Sequence, residues 1–382
     1  MNLYFFESTP YEFFAFTTLF VLLLIQLRYI LFVYARVAFT RIKQSSKQND
    51  INYLPVSVII CARNEEQNLA EFLPQVLEQD YPNYEVVVVN DCSIDDTDMV
   101  LKRLQEKYKH LKVTTIKPDP KFSHGKKLAL TVGIKAASNS WLLLTDADCK
   151  PESSSWIKSM AENFTEKADI VLGYGGYIQK KGLLNKIIRF DTFQIAIQYL
   201  GFALAKKPYM GVGRNLAYKK ELFFANKGFA SHSHILSGDD DLFIQQVASK
   251  TNTAVELRHN AHTRSKASST FAEWIGQKRR HLTTSPSYKG VVKFRLALEP
   301  LSRILFWALG IYLLATNFYP IVVGSILMFR LIVAMVILKI TMNRLNEKKI
   351  FIISLIYDLF SPLFYGAIML ASRLTLNHRK WK

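Results

Sequence analysis

The sequence predicts an α/β fold with a mostly parallel sheet, flanked on both sides by hydrophobic segments. Between about residues 50 and 295, runs typical of strands alternate with runs that have helical spacing. PVSVIICA precedes RNEEQNLAEFLPQVLEQ, and YEVVVVND precedes DDTDMVLKRLQEKY. KVTTIKP, KKLALTVGIKAA and WLLLTDAD continue the pattern. Such alternation indicates parallel strands that are covered by helices on both faces.

Polar clusters follow three of the predicted strands, at the point where each strand ends. They read ARNEE, NDCSIDDT and TDADCK. Ligands of parallel sheets bind beyond the carboxyl ends of the strands. Because folding alone gives no reason for all three clusters to fall there, we expect them to form one site.

Residues 1–45 are predicted to be a membrane anchor, since the apolar segment 13–39 can span a bilayer core of about 30 Å. Three basic residues lie at the end of that segment or just after it, Arg36, Arg41 and Lys43, whereas two acidic residues precede it, Glu7 and Glu12. This order argues against a cleaved signal peptide. By the positive-inside rule it predicts that the α/β domain, residues 50–295, faces the cytoplasm.

Residues 296–382 are predicted to hold two or three further membrane segments. The candidates are 301–319, 321–340 and 350–370. Asp358 and Pro362 count against the third candidate. Three crossings would place the basic tail, with Arg373 and Arg379, outside the cell, against the positive-inside rule. The last segment is therefore a crossing, a re-entrant segment or an interfacial helix, and the sequence leaves the choice open.

The net charge of +18 suggests a nucleic acid, an anionic membrane or a phosphorylated substrate as partner. The basic residues concentrate beside the hydrophobic segments, at 36–47, 278–280 and 373–382. We therefore expect a multi-pass protein of the cell membrane that contacts membrane lipids and binds no nucleic acid. Three cysteines are spread along the chain, Cys61, Cys92 and Cys149. Their spacing predicts reduced thiols in a cytosolic compartment.

The segment TDAD ends an apolar strand on two carboxylates, Asp146 and Asp148. Side chains alternate with a period of two along a strand, so both carboxylates can point to one side. Two hard oxygen donors suit Mg²⁺ or Mn²⁺, which complete their shell with water and substrate phosphates. The alternative is a solvated strand end or a helix cap.

The segment SGDDDLF carries three consecutive aspartates before an amphipathic helix, Asp239, Asp240 and Asp241. The helix dipole favours acidic residues at a helix start, which explains one of the three. Adjacent carboxylates repel each other and raise the proton affinity of at least one of them. A general base that accepts a proton from a hydroxyl needs this property.

Other motifs supply weaker candidates. Asp91, directly at a strand end, is a candidate for a hydrogen bond to a nucleotide base or ribose. Lys126, at a helix start after a glycine, suits contact with phosphate. The predicted helix QKRRHL offers Gln277, Arg280 and His281, and arginine binds phosphate with two hydrogen bonds. A patch against anionic lipid is the alternative for Lys278 and Arg279.

ARNEE, NDCSIDDT, TDAD, GDDD and QKRRH occur in this order over about residues 54–285. Together they resemble the family 2 inverting glycosyltransferases, whose A-type fold binds nucleotide sugars. Membrane-anchored members, such as polysaccharide synthases and ceramide glucosyltransferases, also carry hydrophobic segments around the catalytic domain. Single motifs of this set are weak, whereas five in order are specific.

The resemblance implies roles for individual positions. The residues that would line the nucleotide site are Ala62, Asn64 and Glu65. Asp91 would hold the base. Asp146 would position the nucleotide and the metal, and Asp148 would ligate a divalent ion, Mn²⁺ or Mg²⁺, on the diphosphate.

The resemblance also implies an acceptor side. Asp240 would match the general base, although the register also allows either neighbouring aspartate. Gln277 and Arg280 match Q-x-x-R of the family's Q-x-x-R-W signature, which holds the diphosphate and the acceptor end. His281 stands where the family has tryptophan, so stacking on the acceptor stays open there. The segment GVGRNLAYKKELF, residues 211–223, resembles the acceptor-side loop.

The predicted activity is transfer of a sugar from a UDP- or GDP-linked donor to a hydroxyl of a lipid or lipid-linked glycan, with inversion. A processive polysaccharide synthase is one alternative, but three or four hydrophobic segments are few for a polymer channel. A catalytically silent, membrane-tethered nucleotide-sugar-binding scaffold is another, but the carboxylates are intact. The apolar segment 182–207 lies either on the bilayer near an entry for lipid or in the core.

Overall fold

A computed structural model describes residues 9–41, 53–118 and 125–374, and of residues 369 and 371–374 it describes only the backbone. The remainder of the predicted anchor and the basic tail residues Arg379, Lys380 and Lys382 lie outside the described residues.

The strands of the described residues are β1 (Val56–Ala62), β2 (Tyr84–Asp91), β3 (Leu111–Ile116), β4 (Trp141–Leu144), β5 (Cys149–Pro151), β6 (Ile170–Leu172), β7 (Gly175–Tyr177), β8 (Leu216–Lys219), β9 (Thr253–Val255) and β10 (Thr263–Ser265). The helices are α1 (Pro10–Tyr29), α2 (Ala35–Phe39), α3 (Glu66–Leu77), α4 (Thr97–Lys107), α5 (Lys126–Ala136), α6 (Trp156–Ala161), α7 (Leu183–Leu204), α8 (Lys220–Ala225), α9 (Asp241–Val247), α10 (Phe271–Leu282), α11 (Gly290–Ala315), α12 (Pro320–Arg344) and α13 (Phe351–Leu374). A π-helical turn, Ile30–Tyr34, joins α1 to α2.

The main sheet has seven strands in the order β3-β2-β1-β4-β8-β6-β9. The β1, β2, β3 and β4 strands run parallel, and β8 is antiparallel to both of its neighbours. A second sheet has the order β5-β10-β7. The α/β fold and the mostly parallel sheet predicted from the sequence are confirmed. The carboxyl ends of β1, β2 and β4 therefore meet at one edge, as the motif positions require.

Successive residues of β1 bury their side chains on opposite faces of the sheet. Val58 and Ile60 pack in the cluster that contains Leu69 of α3, whereas Ile59 packs in the cluster that contains Leu130 of α5. Burial on both faces explains why the central strands are almost continuous apolar runs. The sheet thus forms a rigid base beneath the polar loops at its carboxyl edge.

Among the described residues, four helical segments are long and apolar enough to cross a membrane: Pro10–Phe39, Gly290–Ala315, Pro320–Arg344 and Phe351–Ile368. Their length and composition indicate membrane association. The α11 helix begins before residue 296, so the predicted boundary between the domain and the C-terminal membrane region falls inside it. The α13 helix continues through Pro362.

A buried polar cluster surrounds Asp358 of α13. Its carboxylate pairs with Arg330 of α12 and, at 3.5 Å, with Nη1 of Arg303 of α11. Trp307 Nε1 donates a hydrogen bond to Asp358 Oδ2 at 3.2 Å. Arg330 also donates to Gln26 Oε1 of α1 at 2.6 Å. The cluster joins all four long apolar helices, which explains how α13 accommodates an aspartate.

We expect Asp358→Asn to lower the free energy of unfolding by about 3–5 kcal/mol, because it leaves buried arginines without their counter-charge. Thermal unfolding in detergent would measure the loss. The control is Asp98→Asn, which removes an exposed ion pair with Lys102 and should cost only about 0.5 kcal/mol. Equal stability of the two variants would contradict the role of the cluster.

The α13 helix also packs against the α/β domain. The hydroxyls of Tyr357 and Tyr365, two turns apart, both donate to Asp191 of α7. Phe364 stacks on Trp274 of α10, with ring centroids 5.4 Å apart. The α13 helix therefore contacts both the α/β domain and the other long apolar helices.

The α7 helix, which covers most of segment 182–207, belongs to the core. Phe193 and Ile197 are fully buried. Gly201 packs so closely on the anchor that an added Cβ would lie 2.5 Å from the carbonyl oxygen of Val33. Of the two alternatives for this segment, the structure therefore has the core helix.

Candidate active site

Asp146 and Asp148 lie just beyond the end of β4, half-buried at the carboxyl edge of the sheet. Ligand atoms of Asp146, Asp148 and Cys149 all lie within 4.8 Å of one another. Burial and the neighbouring charge of Asp146 raise the pKa of Asp148. Ser265 of β10 donates a hydrogen bond to Asp148 Oδ2 at 2.7 Å. Two close carboxylates, one with raised proton affinity, fit the oxygen-donor set of a divalent cation.

Cys149 is a poor ligand despite its position in this cluster. Burial, and then the charge of Asp148, raise the pKa of its thiol well above the usual range. Mg²⁺ and Mn²⁺ prefer carboxylate oxygens to sulfur, so Asp146 and Asp148 are the better ligands of this group. No disulfide joins the three cysteines, all of which lie among the described residues.

Lys126, the first residue of α5, joins the two acidic clusters. Its Nζ lies 2.8 Å from Asp146 Oδ1 and 3.2 Å from Asp239 Oδ2. Burial raises the pKa of Asp146, but the ammonium of Lys126 and the guanidinium groups of Arg214 and Arg280 together outweigh burial. The net pKa of Asp146 is lowered, so this carboxylate stays charged. Three predicted site residues thus meet at one point.

The three consecutive aspartates have different surroundings. Asp241 Oδ2 accepts hydrogen bonds from the hydroxyls of Thr284 and Tyr288, both at 2.6 Å. Asp239 pairs with Lys126. Asp240 is less buried than its neighbours and forms no ion pair with any lysine or arginine that the structure describes.

The carboxylate of Asp240 is held by backbone groups. Its Oδ2 accepts from the N–H of Gly213 at 2.9 Å, and its Oδ1 accepts from the N–H of Asp241 at 2.7 Å. Burial, followed by the charges of Asp239 and Asp241, raises the pKa of Asp240 to about 7. A carboxylate with this pKa can take a proton from a hydroxyl near neutral pH.

The loops after β1 and β2 bind each other. The N–H of Asn64 donates to Ser93 Oγ at 3.0 Å, and Asn64 Oδ1 accepts from the N–H of Ile94 at 2.9 Å. Asn64 has a φ of 55°, in the left-handed region that asparagine tolerates. The N–H of Glu65 donates to Thr97 Oγ1 at 3.0 Å.

In the structure, the predicted nucleotide-binding residues also have structural roles. Ala62 is buried as the last residue of β1, and Asp91 is buried as the last residue of β2. Asn64 and Glu65 hold the two loops together. The predicted contacts of all four with a nucleotide stay predictions.

The α10 helix carries Gln277, Arg280 and His281. Gln277 Nε2 donates to the hydroxyl of Tyr177 at 3.1 Å. His281 is exposed. The lipid-patch alternative is wrong for Lys278, because its side chain is buried and pairs with Asp191 of α7.

Three residues that line this site were not predicted from the sequence: Arg214, Tyr177 and Ser265. The guanidinium of Arg214 lies 4.5 Å from the ring centroid of Tyr177. Although burial opposes it, the neighbouring acidic groups, Asp146 and Asp148 among them, raise the pKa of Arg214. The isolated arginine of GVGRN was a usable signal for Arg214. No sequence pattern pointed to Ser265, because its hydrogen-bond partner, Asp148, is far away in the sequence.

Comparison with known proteins agrees with this architecture. Residues 57–224 match the family described as glycosyl transferase family 2. A probable glycosyltransferase of Bacillus subtilis, YdaM, is 26% identical over 86% of this chain and 84% of its own. An uncharacterized glycosyltransferase of Haemophilus influenzae is 32% identical over 32% of this chain. The latter alignment spans 36% of the Haemophilus protein, about a third of its length.

Among solved structures, the mannosyltransferase PcManGT of Pyrobaculum calidifontis, in complex with GDP-Man and Mn²⁺, covers 92% of this chain and 99% of its own. The TM-score is 0.56 at 18% identity, which supports a common fold. Residues 57–224 are therefore similar to the glycosyltransferases of family 2, and the likeness to the solved structure shows the A-type fold.

Proposed function

We propose that the protein transfers a sugar from a nucleoside-diphosphate sugar to a hydroxyl of a membrane lipid or lipid-linked glycan, with inversion. The main support is the convergence of Asp146, Asp148, Lys126 and Asp240 at the carboxyl edge of the sheet, in a domain packed against four apolar helices. The domain faces the cytoplasm in this proposal, as the distribution of basic residues suggests.

Asp148, together with Asp146, would hold Mn²⁺ or Mg²⁺. Bound there, the ion would supply positive charge to the donor's diphosphate as it leaves. Lys126 would also bind the negative charge of the diphosphate. Its Nζ lies beside Asp146, one of the two proposed metal ligands. Arg280 is assigned to the diphosphate as well, because arginine binds phosphate oxygens with two hydrogen bonds.

Asp240 accepts the proton of the acceptor hydroxyl, whose oxygen attacks the anomeric carbon as the diphosphate departs. The N–H groups of Gly213 and Asp241 orient its carboxylate. Asp241 is the poorer candidate, because two hydroxyls occupy Oδ2. Asp239 is engaged by Lys126.

Asn64, Glu65 and Asp91 are assigned to the nucleotide, and Gln277 to the diphosphate or acceptor end. The structure of the mannosyltransferase PcManGT is a complex with GDP-Man, and UDP- and GDP-linked sugars are both candidates for this chain. A lipid acceptor is supported by α13, which contacts α10 and the membrane helices together.

A processive polysaccharide synthase remains the second candidate. Poly-β-1,6-N-acetyl-D-glucosamine synthase of Staphylococcus epidermidis is 28% identical over 35% of this chain and 31% of its own. Against it, the structure describes four helices of membrane-spanning length. Polymer length separates the two candidates.

The test is release of nucleoside diphosphate by the detergent-purified protein. UDP- and GDP-sugars are screened with Mn²⁺ or Mg²⁺, with and without a membrane-lipid extract. We expect metal-dependent release from one donor, stimulated by lipid, with one sugar added per acceptor. A polymeric product would favour the synthase. Donor binding without release under any condition would favour the scaffold.

The pH profile of kcat/KM tests the base. Asp240 is active when ionised, so we expect kcat/KM to rise about tenfold per pH unit below its pKa and to level off above about pH 7. Asp239 and Asp241 keep this pKa high, whereas Lys126 and the N–H of Gly213 oppose them. The expected pKa of about 7 lies between pH 5 and pH 8, so a kcat/KM profile that is flat over this range would contradict a base with this pKa.

A further inference from the structure

The loop between α12 and α13, residues 345–350, inserts a buried acid into the α/β domain. The carboxylate of Glu347 is fully shielded from solvent. It pairs with Arg189 Nη2 of α7 at 2.6 Å and with Arg264 of β10. It also accepts a hydrogen bond from the hydroxyl of Tyr174 at 2.8 Å. A residue between two apolar helices is thus part of the domain interior.

The same arginines hold the backbone of this loop. Arg264 Nη2 donates to the carbonyl oxygens of Leu345 and Asn346, both at 3.2 Å. Arg189 Nη2 donates to the carbonyl oxygen of Lys348 at 3.0 Å. Glu347 is therefore held on both sides by contacts between its own loop and the domain.

The domain leaves space for this contact. A Cβ on Gly176 of β7 would lie 2.3 Å from Arg264 Nη1 and 3.1 Å from Glu347 Oε1. Glycine is thus required opposite the ion pair. The contact fixes the position of β10 against β7, where Arg264 is paired with Gly176.

One residue further along β10, Ser265 reaches the candidate metal site. Its hydroxyl donates to Asp148 Oδ2 at 2.7 Å. Ser265 is also the backbone partner of Cys149 on β5, directly after Asp148. The position of β10 therefore determines the orientation of the Asp148 carboxylate. Glu347 holds β10 through the adjacent side chain.

We propose that Glu347 is a positioning residue for the metal site. Through Arg264 it fixes β10, so that Ser265 orients Asp148, and it thereby links the helical hairpin α12–α13 to donor binding. The proposal rests on the proposed function in that Asp148 must be a metal ligand. Partners that orient a ligand typically change metal affinity by about 10- to 100-fold when they are removed.

The test is direct Mn²⁺ binding to the full-length protein in detergent, measured from the electron paramagnetic resonance signal of free Mn²⁺ without donor or acceptor. We expect Glu347→Gln to weaken binding about 10- to 100-fold. Ser265→Ala should weaken it similarly, and the double variant should lose little more, since both act on Asp148. Tyr174→Phe removes one hydrogen bond to Glu347 and should act in the same direction but more weakly.

The matched control is Glu299→Gln. It neutralises another buried acid of the membrane region, Glu299, which is paired with Arg303 of α11 and not with a residue of β10. The Mn²⁺ affinity of this variant should be unchanged. If Glu347→Gln fails to fold, Tyr174→Phe decides, and normal Mn²⁺ binding by that variant overturns the proposal.

Two failures are distinguishable. If Asp148→Ala loses Mn²⁺ binding but folded Glu347→Gln retains it, the role of Glu347 is wrong and the proposed function stands. If the wild-type protein binds no Mn²⁺, the metal role of Asp148 fails, and this proposal fails with it. Equal weakening by Glu299→Gln would also overturn a specific role for Glu347.

Discussion

Asp240→Asn is expected to lower kcat by about 10²- to 10⁴-fold, the usual contribution of a general base. Asparagine has the same shape, and its amide oxygen can still accept the hydrogen bond from Gly213, although its NH₂ group cannot accept the one from the N–H of Asp241. The variant should therefore fold normally and keep its KM for the donor. Steady-state release of nucleoside diphosphate at saturating acceptor measures the loss.

Asp241→Asn is the matched control. Asp241 accepts hydrogen bonds from Thr284 and Tyr288, so we expect lower stability with a smaller change in kcat. This pair of variants therefore also distinguishes Asp240 from Asp241 as the base. A large loss of kcat in Asp241→Asn, with near-normal turnover in Asp240→Asn, would overturn the assignment.

Asp148→Ala is expected to lower kcat/KM on the order of 10³-fold, which corresponds to roughly 4 kcal/mol of lost charge stabilisation. The substitution removes one of the two carboxylates that would hold the cation. Removal of metal from the wild-type protein with EDTA should have an effect of similar size. Rates measured across a Mn²⁺ titration would also reveal a raised metal requirement in the variant.

The control for this second prediction is Asp169→Ala. Asp169 forms a half-exposed ion pair with Lys219, with a separation of 2.8 Å, and we place it outside the active site. Its loss should leave kcat/KM within about twofold, as for most exposed ion pairs. Full activity of the EDTA-treated wild-type protein would show that the reaction needs no metal.

The local sequence pattern was sufficient to predict the main sheet and part of the candidate site. The strands β1, β2 and β4 were predictable because each is an apolar run that ends in a polar cluster. Asp146 and Lys126 were predicted as site residues for a similar reason, since each lies at the end or start of a regular element, and their roles stay predictions. The hydrogen bond of 2.8 Å from Lys126 Nζ to Asp146 Oδ1 joins two residues that lie 20 positions apart in the sequence.

The distinct surroundings of the three aspartates were not predictable. Asp241 differs from Asp240 because Thr284 and Tyr288, 43 and 47 residues away, bind its carboxylate. No local pattern contains that information. Lys278 was misread for the same reason, since its partner Asp191 is remote in sequence.

The sequence by itself determined the alternating α/β order, the apolar helices at both ends and the acidic motifs at one edge of the sheet. These features depend on side-chain periodicity and chain direction, which are local properties. Only the tertiary structure decided how charges inside the apolar regions are compensated. Asp358 and Glu347 are tolerated because Arg330 and Arg264 meet them from distant parts of the chain. A buried charge requires a partner, and only the folded chain determines which one it has.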